Sequence, residues 1–500
     1  MANHLFDAIR AAAAPEAVFI ETAEGRRWTY GDMIRLSGQL AHALARRGVT
    51  PGDRVAVQVE KSPEALMLYL ACLRAGAIYL PLNTAYTLAE LGYFLGDATP
   101  ALVVVDPKVR DSVAEIAGGA VETLDATGGG SLLQLAGAEE ADFSDIERGP
   151  DDLAAILYTS GTTGRSKGAM LTHDNLLSNA LTLRDHWRFT AADRLIHALP
   201  IFHTHGLFVA SNVTLLAGAS MYLLPKFDAD EVLRLMESAT VLMGVPTFYV
   251  RLAQHPGLTR EAAAGMRLFV SGSAPLLAET HRSFSEKTGH AILERYGMTE
   301  TNMNTSNPYD GERVAGTVGF PLPGISLRVT DPETGKPLPD GETGMIEVTG
   351  PNVFKGYWKM PEKTAAEFRT DGFFITGDLG KIDGRGYVHI VGRGKDLVIS
   401  GGYNIYPKEV ETEIDGMAGV VESAVIGVPH PDFGEGVTAI VVRQKGSTLD
   451  EKAVLGGLQD RLARYKQPKR VLFVDDLPRN TMGKVQKNVL RQTYADLYKT

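Results

Sequence analysis

Residues 158–168 read Tyr158-Thr159-Ser160-Gly161-Thr162-Thr163-Gly164-Arg165-Ser166-Lys167-Gly168, directly after the apolar run Leu153–Leu157. Three glycines, five Ser/Thr hydroxyls and two cations fall within these eleven residues. An apolar strand that runs into such a loop presents backbone N–H groups, hydroxyls and a cation to a polyphosphate. The glycines let the backbone turn tightly and approach the anion. The loop is not a Walker A sequence, which needs Gly before the Lys and Ser or Thr after it. Here Ser166 precedes Lys167 and Gly168 follows it.

Outward from this loop, 500 residues exceed what one core normally holds, so two or more domains are expected. A hydrophobic content of 44% and a charged content of 22% are those of an ordinary globular protein. The net charge of −10 leaves no electrostatic footprint for nucleic acid. No apolar stretch approaches a membrane span, and the segment before Pro15 lacks the pattern of a secretory signal. One cysteine, Cys72, excludes an internal disulfide framework. These features lead to the expectation of a cytoplasmic protein without nucleic-acid or membrane partners.

The first third alternates helical stretches (30–47, 62–74) with short apolar strands (54–59, 101–105), which reads as layered α/β structure. Residues 102–105 and 153–158 read as buried parallel strands. Residues 128–151, rich in Gly, Ala and acidic side chains, read as a surface connection. The segment 319–391, with short strands punctuated by Gly, Pro and Asp, reads as a β-rich subdomain. Gly392-Arg393-Gly394-Lys395-Asp396 is the clearest boundary. It divides the chain into residues 1–394, a large N-terminal domain, and 395–500, a small α+β domain.

Further motifs follow the loop. Tyr296-Gly297-Met298-Thr299-Glu300 comes after a strand-like stretch, Thr376-Gly377-Asp378 reads as a turn before a hairpin, and Arg393 lies fifteen residues beyond Asp378. Pro478-Arg479-Asn480-Thr481-Met482-Gly483-Lys484-Val485 stands near the C-terminus. Ile201-Phe202-His203-Thr204-His205-Gly206-Leu207 contains a His-x-His pair, but no third ligand with metal-like spacing accompanies it, which argues against zinc.

Taken together these motifs resemble the adenylate-forming superfamily of acyl-CoA synthetases, peptide-synthetase adenylation domains and firefly-type luciferases. The resemblance runs from about Trp28 to Lys484. It implies ATP held by Thr159, Ser160, Gly161, Thr162, Thr163, Gly164 and Lys167, with Ser273, Ala274 and Pro275 beside the nucleotide. It further implies Tyr296 on adenine, Thr299 at the α-phosphate, Glu300 as the Mg²⁺ ligand, and Asp378 and Arg393 at the ribose. By the same resemblance Lys395 is the hinge of a mobile C-terminal domain and Gly401, Gly402 and Tyr403 meet coenzyme A. Lys484 would bridge carboxylate and α-phosphate, two anions that otherwise repel. Acylation of Lys484 by an acetyltransferase, reversed by a deacylase, would remove its charge.

The implied acyl pocket holds His203, His205 and Met303, with Asn302 and Asn304 as further polar groups. Arg295 stands where many members of the superfamily carry a small residue. A buried arginine facing an acyl tail without an anion is costly. Its neighbour Glu294 points to the opposite face of a strand. A second substrate carboxylate would satisfy Arg295 through a bidentate pair. This combination is similar to the malonyl-CoA synthetase family and implies a short dicarboxylate, malonate, with methylmalonate tolerated. The alternatives are a short or aromatic monocarboxylate with a structural Arg295, a carrier-protein acceptor, luciferase-type oxidation, or a non-catalytic sensor. A sensor is expected to have lost Lys484, Glu300 or Asp378. A fused carrier is not expected, because Leu455-Gly456-Gly457 is followed by Leu458 and not by Ser.

Overall fold

The computed structural model describes residues 3–159, 166–401, 403–459, 461–480 and 483–499. Among them the strands gather into four sheets. A seven-stranded sheet runs, in order, Gly356–Tyr357, Lys167–Thr172, Leu153–Thr159, Ile78–Pro81, Arg54–Gln58, Leu102–Val105 and Ala120–Thr123. A nine-stranded sheet has the parallel strands Leu293–Met298, Leu268–Ser271, Val241–Gly244, Arg194–His197, Ser220–Leu223 and Val18–Thr22 at its centre. Antiparallel strands close both of its edges.

The helix Pro63–Arg74 is buried at every position. Ser62 caps it by accepting from the N–H of Ala65, and Pro63 opens it where no donor is needed. Cys72 lies in this buried helix.

A four-stranded antiparallel sheet comprises Ser326–Thr330, Gly344–Thr349, Phe374–Ile382 and Val388–Arg393. The turn Gly394–Asp396 then leads into a C-terminal sheet of Tyr403–Ile405, Val398–Ser400, Gly434–Arg443, Val420–His430 and Arg470–Val474. That sheet packs on the helix Pro407–Asp415 around Val410, Ile414, Val425 and Val441, all buried. The protein is thus mixed α/β, with a large N-terminal and a small C-terminal domain.

Three local expectations are corrected. The strand Leu153–Thr159 is parallel to Ile78–Pro81 on one side only, and on the other it pairs antiparallel with Lys167–Thr172. The decisive loop therefore closes a hairpin instead of passing through in one direction. Residues 128–151 are not a mere surface connection. They contain the helix Ser131–Gly137, and Asp145 forms a 2.6 Å ion pair with Arg74, which is only 2% exposed. The motif Thr376–Asp378 is no turn, because it lies inside the strand Phe374–Ile382. Gly377, at φ +74°, lets that strand deform there.

Candidate active site

The carboxyl ends of the parallel strands in both large sheets open on one cavity of about 1300 Å³, closed on another side by the C-terminal domain. Ligand sites in open α/β sheets occupy this position because loops, not strands, crown the sheet there. Thr159, Lys167, His203, His205, Ser273, Arg295, Thr299, Glu300, Met303, Arg393, Lys395 and Lys484 all line it. Ser160, Gly161, Thr162, Thr163, Gly164 and Gly402 lie outside the described residues.

Lys167 pairs across the hairpin with Thr159. Its ammonium is 3.2 Å from a carboxylate oxygen of Glu367 and 4.1 Å from the centroid of the Tyr357 ring. The Tyr357 hydroxyl lies 2.6 Å from Glu367 and 3.0 Å from Glu300, so one proton is shared between two carboxylates. Burial pushes the Glu300 carboxyl up, while Tyr357 and the Lys167 charge oppose that rise. A cation beside Glu300 would restore its ionised form. One carboxylate on the cavity wall suits Mg²⁺, which takes few protein ligands when phosphate oxygens complete its shell.

The strand Leu293–Met298 carries the next set. Glu294 accepts from the N–H of Leu276 at 3.1 Å, and burial pushes its carboxyl up to about 8. The Tyr296 hydroxyl donates to Asp378 at 2.6 Å, and the other Asp378 oxygen is 3.3 Å from Arg393 Nε. Asp378 and Arg393 are register partners across the hairpin, which accounts for their spacing in sequence. Tyr296 and Asp378 are buried just behind the cavity wall and do not line it. Gly297 permits the tight return that follows, since a Cβ there would sit 1.9 Å from the Asn302 carbonyl oxygen.

Arg295 is 3% exposed, yet no carboxylate among the described residues lies within ion-pair distance of it. Its Nε and Nη2 have no acceptor. Burial pulls the guanidinium below its ordinary value. The group rests against Gly272, where any Cβ would stand 2.3 Å from Arg295 Cζ. His205 Nδ1 is 3.2 Å from the Ser273 hydroxyl, and its buried Nε2 has no partner. Burial, with Lys484 and Arg295 nearby, pulls His203 down to about 3, and burial beside Arg295 also keeps His205 neutral. One wall of the cavity is therefore a buried cation flanked by two neutral imidazoles.

Lys484 arrives from the C-terminal domain on a tight turn in which its N–H donates to Asn480 Oδ1 at 2.9 Å. Desolvation and the neighbouring Arg393 pull its ammonium down to about 8, although Asp378 and Glu300 oppose the shift. The side chain is exposed to the cavity, so its desolvation is partial.

Other expected residues stand elsewhere. Ala274, Pro275, Gly401 and Tyr403 do not line the cavity. Tyr403 instead stacks on Tyr465 at 4.6 Å between centroids. Asn302 and Asn304 are not pocket groups. The Asn302 amide donates toward the Asn175 carbonyl, and Asn304 accepts from Asn352 at 3.0 Å. Sequence reasoning missed Tyr357 and Glu367, for which no local motif gives a signal.

A family model described as AMP-binding enzyme matches residues 8–358, and one described as AMP-binding enzyme C-terminal domain matches residues 409–484. The chain belongs to the AMP-binding enzyme family. A feruloyl-CoA synthase from an Amycolatopsis species is 39% identical over 97% of this chain and 98% of its own length. A malonate–CoA ligase from Arabidopsis thaliana is 34% identical over 94% of this chain and 85% of its own. The crystal structure of ATP-bound MatB from Rhodopseudomonas palustris is 68% identical, covers 99% of this chain and 100% of that one, and superposes with a TM-score of 0.98. The apo form of MatB, with the same coverage, gives 0.86. The arrangement described above is therefore nearer to the ATP-bound form.

Proposed function

We propose that this chain is an AMP-forming acid–thiol ligase that joins malonate to coenzyme A. The observation that carries the substrate is Arg295, a buried cation without a counter-ion on the wall of the cavity that also holds Lys167, Thr299 and Lys484. A carboxylate is the group that removes the cost of such a cation. A short dicarboxylate reaches Arg295 with one end and the α-phosphate with the other. The malonate–CoA ligase relative supports the same reading.

ATP lies with its phosphates on the hairpin that bears Thr159 and Lys167, and its adenine and ribose against the wall of Ser273, Gly297 and Arg393, which Tyr296 and Asp378 back from behind. Glu300 would hold Mg²⁺, which when bound would neutralise phosphate charge. One malonate oxygen attacks the α-phosphorus, the bond to the bridging oxygen breaks, and pyrophosphate leaves with the electron pair. Lys484 lies between the two anions and, with Thr299, stabilises the charge of the transition state. Residues 395–500 then turn about Lys395, which withdraws Lys484 and brings Gly401, Gly402 and Tyr403 toward the pantetheine arm. The thiolate attacks the acyl carbon of malonyl-adenylate and AMP departs with the bonding pair. Methylmalonate is accepted as a slower acid, the setting is the cytoplasm, and acylation of Lys484 silences the first step.

The test is CoA-dependent AMP formation with malonate, methylmalonate, succinate, acetate, butyrate, benzoate and ferulate in parallel. Malonate is expected to lead by at least a hundredfold over butyrate, the scale expected when a buried charge is left unpaired. Butyrate or ferulate in front would overturn the dicarboxylate and leave the ligase. Inactivity with every acid, followed by activity with a carrier protein, would replace CoA as the acceptor.

A further inference from the structure

Behind the two imidazoles stands a lysine–histidine pair that no step above uses. Lys61 follows the strand Arg54–Gln58 of the seven-stranded sheet, and His197 ends the strand Arg194–His197 of the nine-stranded sheet. The Lys61 ammonium is 2.9 Å from His197 Nδ1 and 2.8 Å from the His197 carbonyl oxygen. His197 Nε2 is 2.9 Å from the carbonyl oxygen of Gly206, which also accepts from the Ser211 hydroxyl at 2.9 Å. A carbonyl oxygen can only accept, so Nε2 carries the proton, Nδ1 offers its lone pair, and Lys61 donates to it. Burial beside Lys61 holds His197 well below its ordinary value and therefore neutral.

These contacts close residues 198–205 at both ends, one at the His197 carbonyl and the other at the Gly206 carbonyl. The closure is tight. A Cβ at Gly206 would lie 2.0 Å from the Pro200 carbonyl oxygen. The loop carries Phe202, His203, Thr204 and His205, all on the cavity wall. It runs into the π-helix His205–Ser211, a wide turn that is rare in proteins and concentrated at functional sites.

We infer that Lys61 and His197 are positioning residues for acid recognition: Lys61 fixes the His197 tautomer, His197 pins the Gly206 carbonyl, and the closed loop aims His203 and His205 at the acid. Neither residue lines the cavity. The inference rests on the reading of this loop as the acid wall, and it holds for whichever acid the enzyme prefers. Its effect falls on the acid side, because the phosphate, ribose and adenine walls come from other segments.

Steady-state kinetics of the full-length enzyme, with the acid that leads the panel above, test it. Lys61→Met keeps the reach of the side chain and removes the donor. It is expected to raise KM for the acid on the order of tenfold while KM for ATP stays within about twofold, the loss of one buried hydrogen bond. His197→Gln keeps an amide donor at a similar reach to Nε2 and is expected to retain most acid affinity that His197→Leu loses. Parallel rises in both KM values, or indistinguishable Gln and Leu variants, would overturn the clasp. If Lys61→Met does not fold, the His197 pair decides. A panel won by a monocarboxylate with the clasp kinetics intact would separate failure of the malonate reading from failure of this one.

Discussion

Lys167 and Arg295 line one cavity and are handled in opposite ways. Lys167 already has a counter-ion: Glu367 stands 3.2 Å away and the Tyr357 ring lies beneath the ammonium. Arg295 has none, and two of its nitrogens are buried without an acceptor. The difference teaches how each half of the cavity is prepared. If Lys167 binds the phosphates as proposed, Glu367 holds their place and gives way to them. At Arg295 the fold bears an uncompensated cost that only an arriving anion removes, so recognition there discriminates more strongly.

The largest expected effect concerns another cation of the cavity, Lys484, which has no ion pair among the described residues. Lys484→Ala should slow adenylate formation by about a thousandfold, the scale of a lost transition-state donor. Thioester formation from supplied malonyl-adenylate should survive. Single-turnover pyrophosphate release, set against CoA-dependent release of AMP from the adenylate, measures the two halves, and equal losses would remove the role. Since Lys484 lies near 8 before ATP binds, its cationic form predominates below that pH. Adenylation in the free enzyme, read as kcat/KM, should therefore fall as pH rises through about 8, by roughly tenfold per unit beyond it. A flat alkaline limb up to the pH of unfolding would contradict the assignment.

Next in size is Arg295→Leu. It should lower kcat/KM for malonate by about a hundredfold or more, since the carboxylate would then be buried unpaired. The same variant should raise the melting temperature of the ligand-free enzyme, because an unpaired buried charge is replaced by an apolar side chain. Lys167→Leu should give no such gain, as it would break an existing ion pair with Glu367. Calorimetry of the two variants tests the contrast directly. Smaller again, Gly272→Ala would push the guanidinium off its seat and should raise KM for malonate about tenfold, with KM for ATP little changed.

How much of this was legible in the chain depends on the range of the interaction. The strand Leu102–Val105 reads as buried because it is apolar without interruption, and so it is. Lys167, Glu300 and Lys484 sit in short motifs whose residue types already state a chemistry. The unpaired state of Arg295 followed from strand alternation, which turns Glu294 away to the Leu276 N–H. What escaped were contacts across the fold. Glu367 meets Lys167 from 200 positions away, and nothing near either residue announces the other. Asn302 and Asn304 carry the same amides whether they face a ligand or a neighbouring backbone, so only register could assign them. Asp378 was misread as a turn residue because Thr-Gly-Asp has turn composition, whereas its pairing with Arg393 keeps it in a strand.

Glu367→Gln is the smallest and most discriminating change. The carboxylate is held by Lys167, by Lys363 at 2.6 Å and by the Tyr357 hydroxyl, so neutralising it leaves Lys167 without its internal partner. If Glu367 is a stand-in for phosphate, ATP no longer has to displace it. Affinity for ATP, titrated without acid, should then rise about threefold to tenfold, the modest value of a partly exposed ion pair. The gain should shrink with added salt, because the exposed side of the pair is screened. Weaker ATP binding would mean that Glu367 instead aims Lys167, and the two cations would then differ in degree and not in kind.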